Sequence, residues 1–328
     1  MRILRDYRAT PAAARGAVAA IGNFDGVHRG HRVVIERACA IAGQTGTAPA
    51  VVTFEPHPRA FFQPDAPPFR LSTLATKAAD LARLGVETLF VIDFDAAFAA
   101  KSAETFVREV LDEHLGLAHV VVGYDFVFGQ GRQGNAELLG RLAARHGFGA
   151  SIVEPVTQAG TAFSSTRVRE LLRGGQPREA ASILGHFWTI EGEVLGGDRR
   201  GRTIGFPTAN VTLGPLLQPA FGVYAVRAGI AREDGPVDWR PGVGNLGRRP
   251  TFDKQDVLLE VHLFDFDGDI YGQHLWVQFV EFLRPEKRFE SLDALKRQIE
   301  ADAGAARALL ARTDAMDPAG GRPVSAGP

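Results

Sequence analysis

The sequence predicts an α/β chain in two parts: a parallel sheet covered by helices on both faces, then an antiparallel barrel or sandwich ending in a helix. Three observations carry this. The length, 328 residues, exceeds what one hydrophobic core usually organises, so two domains are expected. The first half alternates short, apolar, β-rich runs with longer stretches whose apolar residues recur every three or four positions, the signature of βα units. Near residue 185 that alternation stops, and β patterns punctuated by Gly and Pro follow one another.

In the first half, strands are expected at 18–21, 50–54, 88–92, 119–122 and 151–153. Helices are expected between them at 32–42, 74–84, 103–115 and 136–146. Val34, Ala38 and Ile41 make one helical stripe. Ser102 and Asn135 stand at N-cap positions, and Gly85, Gly116 and Gly147 stand where helices stop. Strands this short and apolar belong to a sheet buried on both faces, and ligands of such sheets collect at the carboxyl ends of the strands. Helical patterns at 165–172 and 178–184 lead into the second half. There strands are expected at 189–195, 208–213, 223–228, 257–264 and 275–283, and a helix at 292–310. Asp267-Gly268 marks a hairpin or loop turn. The expected domains are therefore 1–185 and 186–315, with 316–328, rich in Gly, Pro and Ala, as a disordered tail.

Composition excludes several classes. Hydrophobic residues at 45% and charged residues at 23% are globular values, which rules out wholesale disorder. A formal net charge of −1 is not that of a polyanion binder, so no nucleic-acid partner is expected. Cys39 is the only cysteine, which excludes an intrachain disulfide and a Cys-rich zinc module. No apolar run approaches the roughly 18–20 residues of a membrane helix. Arg2, Arg5, Asp6 and Arg8 precede an alanine stretch that Arg15 interrupts, which is not a signal-peptide pattern. A cytoplasmic protein with no membrane partner is the expectation; its oligomeric state leaves no signature in the sequence.

The first candidate site follows the first strand as IGNFDGVHRGH, residues 21–31. Gly22 and Gly26 let the backbone turn tightly and approach a ligand. His28 and His31, three apart at a helix start, share a face. A helix N-terminus offers amide donors and partial positive charge to phosphate. The chain has neither the GxxxxGK[ST] nor the GxGxxG fingerprint. By themselves the two histidines would equally suit a surface pair, or half a metal site with His57 as a further ligand. Ser164, Ser165, Thr166 and Arg167 place hydroxyl, backbone and guanidinium donors at a second helix start, where the bland reading is a helix cap.

The second candidate site opens the β-rich half. A loop rich in Gly and Arg at 196–202 can wrap phosphates with backbone donors. Thr208 and Asn210 point to one side of an extended segment, about 6.6–7 Å apart along the strand. Their oxygens can both turn toward one Mg²⁺, which takes oxygen ligands at about 2.1 Å. Leu259, Val261 and Leu263 share one strand face, so Glu260 lies on the other with His262 and Phe264. Alone, these features read as a loop before a strand, a solvent-facing carboxylate and, at 282–292, a polar linker.

These motifs together resemble those of the bifunctional riboflavin kinase/FMN adenylyltransferases (FAD synthetases). Residues 21–31 resemble the HxGH nucleotidyltransferase signature in its GxFDGVHxGH form. TFEPHP (53–58), GYDFVFG (123–129) and SSTRVR (164–169) resemble the family's TFxPHP, GxxFxFG and SSTxIR segments. The resemblance implies a Rossmann-like HxGH nucleotidyltransferase domain in which His28 and His31 stabilise the transferring α-phosphate. It implies ATP contacts at Gly22, Phe24, Asp25, Ser164, Ser165, Thr166 and Arg167, and an FMN side at Pro56, His57, Pro58, Asp125 and Phe128. Val127 stands where relatives often carry Arg.

In the second half, GRTIGFPTANV (201–211) resembles the defining riboflavin kinase motif. FGVYAV (221–226), the GVxNxGxRPTF loop at 242–252, LEVHLFDF (259–266), 269–272 and 282–292 also match. Gly244 stands where Ala is common, and Arg288 keeps the charge of the usual Lys. The implied domain is an antiparallel β-barrel with a terminal helix. ATP would meet Gly201, Arg202, Thr203, Gly205, Phe206 and Pro207, and Mg²⁺ would meet Thr208 and Asn210. Glu260 would be the base, and Arg284 and Glu286 a flavin-side flap. The resemblance runs from about Gly22 to Leu310. It implies phosphorylation of riboflavin to FMN, then adenylylation of FMN to FAD with release of pyrophosphate. An enzyme with one working half, or a flavin-binding sensor without turnover, would carry the same motifs; turnover assays separate them.

Overall fold

The computed structural model describes residues 1–158, 161–196, 205–230, 237–250 and 255–314. Two compact units emerge from its contacts: Met1–Ala66 with Lys77–Ser164, and Pro67–Thr76 with the chain from Ser165 onward. The helices expected just before residue 185 thus group with the second unit. The expected tail, 316–328, lies outside the described residues.

The first unit contains a six-stranded parallel sheet formed by β1 (Arg2–Leu4), β2 (Val18–Ile21), β3 (Pro49–Glu55), β4 (Thr88–Asp93), β5 (His119–Gly123) and β8 (Gly149–Val153), in the order β1-β4-β3-β2-β5-β8. Two short ribbons, β6 (Val127–Phe128) with β7 (Gly134–Asn135) and β9 (Thr157–Gln158) with β10 (Thr161–Ala162), are its other strands among the described residues. All four residues of β2 are buried, as a central strand covered on both faces requires. Helices α1 (Arg29–Thr45), α2 (Pro58–Phe62), α3 (Leu74–Arg83), α4 (Ala96–Ala99), α5 (Ala103–Thr105) and α6 (Ala136–His146) fill the connections. The expected caps are present: Ser102 Oγ accepts from the Thr105 N–H at 3.1 Å and Asn135 Oδ1 from the Leu138 N–H at 2.8 Å.

Two features of this unit depart from expectation. β1 is an edge strand of three exposed or half-buried residues, so no apolar run announces it. The helix expected over 103–115 is α-helical only at Ala103–Thr105 and continues as a π-helix over Phe106–His114. Its buried residues Phe106, Val107, Val110 and Leu111 include pairs four apart, which lie close on the face of either helix type, so the spacing does not announce the wider helix.

The second unit begins with α7 (Ser165–Arg173) and α8 (Pro177–Leu184). Six antiparallel strands then close a barrel: β11 (Thr189–Leu195), β12 (Ala209–Thr212), β13 (Gly222–Ile230), β14 (Asp238–Pro250), β15 (Gln255–Leu263) and β16 (His274–Pro285), in the order β11-β12-β15-β14-β13-β16. Closure rather than a sandwich follows from β11 pairing with both β12 and β16, which leaves no edge. The segment 242–252, expected as a loop, is strand β14 as far as Pro250. Its glycines hid it, and packing explains them. A Cβ at Gly242 would lie 2.6 Å from the His262 carbonyl oxygen, and one at Gly244 3.1 Å from Leu259. The final helix, α9 (Leu292–Asp314), lays Ala306 and Leu310 on Val223, Ala225, Val243 and Val280 outside the barrel. Inside, Trp188 and Leu71 join the core, and the indole N–H donates to the Leu71 carbonyl at 2.8 Å.

Candidate functional site

In the first sheet the chain runs from β2 outward through β3 to β4, then returns to the other side of β2 as β5. That reversal makes the carboxyl ends of β2 and β5 a topological switch point, where open α/β sheets bind ligands. β2 ends at Ile21, and the turn after it is strained. Phe24 (φ 46°) and Val27 (φ 39°) are left-handed without being glycine, and both are buried with Asp25 and His28. Such residues cost on the order of 1–3 kcal/mol each and persist where the surroundings hold them.

His28 is the N-cap of α1, and its Nδ1 accepts the His31 backbone N–H at 3.2 Å. An accepting Nδ1 carries no proton, so the ring proton sits on Nε2 and that edge becomes a hydrogen-bond donor. The His31 ring stacks on His28 with centroids 3.5 Å apart and planes 19° apart, and Phe24 meets His31 edge-on at 5.2 Å. Gly30 permits this stack, because a Cβ there would lie 3.2 Å from the His28 ring. Next door, after β3, His57 repeats the device. It is buried, and its Nδ1 accepts the Arg59 N–H at 3.1 Å at the start of α2.

After β5, Asp125 is exposed. Phe128 is instead a core residue, packed on Phe106 and stacked under the half-buried Phe126 with centroids 5.3 Å apart. The neighbouring strand ends thus gather Gly22, Phe24, Asp25, His28, His31, Pro56, His57, Pro58 and Asp125 on one edge of the first sheet. Ser164 closes the first unit, whereas Ser165, Thr166 and Arg167 begin α7 in the second. Arg167 is exposed and meets Glu170 at 3.2 Å. Arg169 of the same motif is buried, donating to the Phe69 carbonyl at 2.8 Å with its guanidinium over the Phe69 ring.

In the second unit, Gly201, Arg202 and Thr203 lie outside the described residues. Gly205 turns with φ 87°, and Phe206, Pro207 and Thr208 lead into β12. His262 Nδ1 donates to the Pro207 carbonyl at 2.8 Å, and Phe206 meets the His262 ring edge-on. On β12, Asn210 lies directly opposite Glu260 of β15, which lies opposite Asn245 of β14. Leu259, Val261 and Leu263 are buried in the barrel core, so alternation puts Glu260 on the outer side. Asn210 is 5% exposed, and its Oδ1 is buried without a hydrogen-bond partner. Thr208 is half-buried two residues before it.

A buried amide oxygen left unbonded asks for a donor or a cation. Among the described residues no group of three or more His, Cys, Asp or Glu side chains could hold a metal ion. The donors at hand, an amide and a hydroxyl oxygen, suit a hard cation that keeps waters and takes oxygens from a phosphate ligand. On the flap segment, Arg284 is tied down. Its guanidinium makes bonds of 2.7–3.0 Å to both oxygens of the buried Asp302 on α9. Glu286 lies over Gly247, where a Cβ would run into its carboxylate.

Sequence reasoning gave no individual role to Asn245 and Gly30, which it met only inside motifs, and passed over Lys77. Asn245 becomes notable only through its register opposite Glu260. Lys77 is 1% exposed, and it interrupts the apolar stripe of α3 beside Ala78 and Leu81, a signal present in the sequence.

Residues 10–167 match the family described as FAD synthetase, and residues 184–310 match riboflavin kinase. A bifunctional riboflavin kinase/FMN adenylyltransferase of Escherichia coli (strain K12) is 40% identical over 95% of this chain and 99% of its own length. The one from Pseudomonas fluorescens is 42% identical over 95% and 98%. A crystal structure described as a macrolide-efflux protein from Streptococcus pneumoniae aligns with TM-score 0.82 at 31% identity, covering 93% of this chain and 98% of that one. No helix among the described residues here is long and apolar enough to cross a membrane.

Proposed function

The chain belongs to the family of bifunctional riboflavin kinase/FMN adenylyltransferases, and from that premise we propose which residues carry its two reactions. It phosphorylates riboflavin with ATP to give FMN, and it adenylylates FMN with a second ATP to give FAD and pyrophosphate. The observation that carries our residue assignment is the contrast between the two sets of side chains. A carboxylate stands in register with a buried amide oxygen on the barrel, and a pair of stacked imidazoles, one of them the N-cap, stands at a helix start at the sheet's switch point.

Phosphoryl transfer to an alcohol needs a proton acceptor and charge compensation. In our reading Glu260 takes the proton of the riboflavin 5′-hydroxyl as its oxygen bonds to the γ-phosphorus and the bond to ADP breaks. Asn210 Oδ1 and the Thr208 hydroxyl would hold Mg²⁺ together with ATP oxygens, which the unbonded, buried Asn210 oxygen supports. Bound there, Mg²⁺ would supply positive charge to the transferring phosphate. Phe206 and Pro207, braced by His262, are proposed to line the nucleotide side, and Glu286 the flavin side.

Adenylyl transfer starts from an FMN phosphate that is already ionised, so it needs positioning and charge stabilisation rather than a base. We assign His28 Nε2–H and His31 to the α-phosphate as pyrophosphate leaves. Pro56, His57 and Asp125 are assigned to the flavin end. A cytoplasmic location belongs to the same proposal.

The test is chromatographic. Purified protein with riboflavin, ATP and Mg²⁺ should make FMN and then FAD. Glu260→Ala should suppress FMN formation and spare FMN-to-FAD conversion, and His28→Ala should do the reverse. Loss of both activities in either folded variant would overturn the two-site assignment.

A further inference from the structure

Lys77 is the one lysine among the described residues that is fully buried, at 1% exposure. Burying an ammonium is costly, and an apolar side chain of similar volume would generally serve stability as well or better. What the charge touches gives a reason to keep it. Lys77 Nζ donates to Thr53 Oγ1 at 3.3 Å and lies 3.7 Å from Glu55 Oε1. Thr53 and Glu55 sit two apart on β3, so they point to the same side of the strand. The Thr53 hydroxyl in turn donates to the Asn23 carbonyl at 3.2 Å.

Asn23 begins the turn in which Phe24 and Val27 are held left-handed, directly ahead of His28. Glu55 is the residue before Pro56, His57 and Pro58. One buried cation therefore connects, through a hydroxyl on one side and a carboxylate on the other, to the two loops that flank the switch point. A hydroxyl that accepts from an ammonium and donates to a carbonyl is polarised by both bonds, which strengthens the link to the Asn23 peptide.

We propose that Lys77 is a positioning residue for adenylyl transfer, setting the 22–28 turn through Thr53 and the 56–58 segment through Glu55. The inference rests on the assignment above, in which the first loop meets ATP and the second meets FMN. It adds that one side chain couples the two.

The experiment separates the two arms. Thr53→Val removes the hydroxyl at constant shape and should raise KM for ATP while leaving KM for FMN unchanged. Glu55→Gln should raise KM for FMN alone. Lys77→Met should raise both and lower kcat/KM for FAD formation roughly ten- to a hundredfold, the scale of a misplaced reacting group. Riboflavin phosphorylation by the same Lys77→Met protein should not change. A residue that merely stabilised the unit would lower the thermal midpoint and leave both KM values of the folded enzyme alone.

Wild-type KM values in folded Lys77→Met overturn the proposal. So do Thr53→Val and Glu55→Gln variants that each shift both constants equally, and these two variants decide the matter if Lys77→Met does not fold. His28→Ala run alongside keeps the underlying assignment separable. If it spares FAD formation, the site reading fails; if it abolishes FAD formation while the Lys77 series is silent, only the coupling fails.

Discussion

Asn210→Ala tests the barrel site most sharply, because activity should fall while stability hardly changes. Truncating a buried, hydrogen-bonded asparagine normally costs about 1–3 kcal/mol. Asn210 is buried at 5% exposure, but its Oδ1 has no partner to lose. Removing that oxygen relieves a desolvation penalty of similar size, which offsets the packing lost with the side chain. The unfolding free energy of the ligand-free protein should then stay within about 1 kcal/mol of wild type. Function should suffer, because the same oxygen is proposed to meet Mg²⁺ and the nucleotide. Kinase activity should fall about a hundredfold, equivalent to about 2.7 kcal/mol of transition-state stabilisation.

Ligand-induced stabilisation gives an independent readout. At a concentration one hundred times Kd, MgADP stabilises the wild-type barrel by about 2.7 kcal/mol. If the variant binds tenfold more weakly, the same concentration gives about 1.4 kcal/mol. Denaturant titration with and without MgADP, beside a riboflavin phosphorylation assay, measures all three quantities. A variant that loses more than about 2 kcal/mol without ligand, yet keeps its kinase activity and its MgADP shift, would refute the reasoning and make Asn210 an ordinary structural residue.

Gly30→Ala should leave the fold intact but cut FAD formation by about a hundredfold, because its Cβ would lie 3.2 Å from the His28 ring; a wild-type rate would show that the ring stack is dispensable. Arg284→Met should destabilise the barrel unit by about 3–5 kcal/mol, since it leaves the buried Asp302 carboxylate without its guanidinium. A higher KM for riboflavin with an unchanged thermal midpoint would instead make Arg284 a flavin contact. Burial, with a smaller push from Arg37, holds the His119 imidazole below its ordinary pKa of 6.5. Its neutral form is favoured when folded, so its contribution to stability is complete above about pH 6.5 and is lost as pH falls through the folded value. His119→Gln should therefore flatten the decline in thermal midpoint between pH 7.5 and pH 5; equal slopes in both proteins would remove His119 as a cause.

Much of this molecule is legible in its sequence, and the reasons are local. The strands of the first sheet were readable because being buried on both faces forces short apolar runs, and the caps because Ser102 and Asn135 satisfy their own helix ends. The motifs after β2 and β3 were readable because they concentrate Gly, His and Pro in patterns that packing alone would not select. β14 was not, since its glycines are there to admit Leu259 and the His262 carbonyl from the neighbouring strand, a requirement written in β15 rather than in its own residues.

Composition, periodicity and residue type by themselves determined the two-part α/β plan, and the short motifs, through their resemblance to a known family, supplied the class of chemistry and the side chains proposed for it. These are properties of single residues and short segments, and they survive in a linear reading. Tertiary structure decided what depends on distance across the chain. It made Phe128 a core residue beside Phe106, engaged Arg284 with Asp302, set Asn210 and Asn245 in register with Glu260, and buried Lys77 against Thr53 and Glu55. Each of those outcomes comes from strand register or helix docking between residues far apart in sequence, and no local pattern encodes which of two polar side chains will find its partner there.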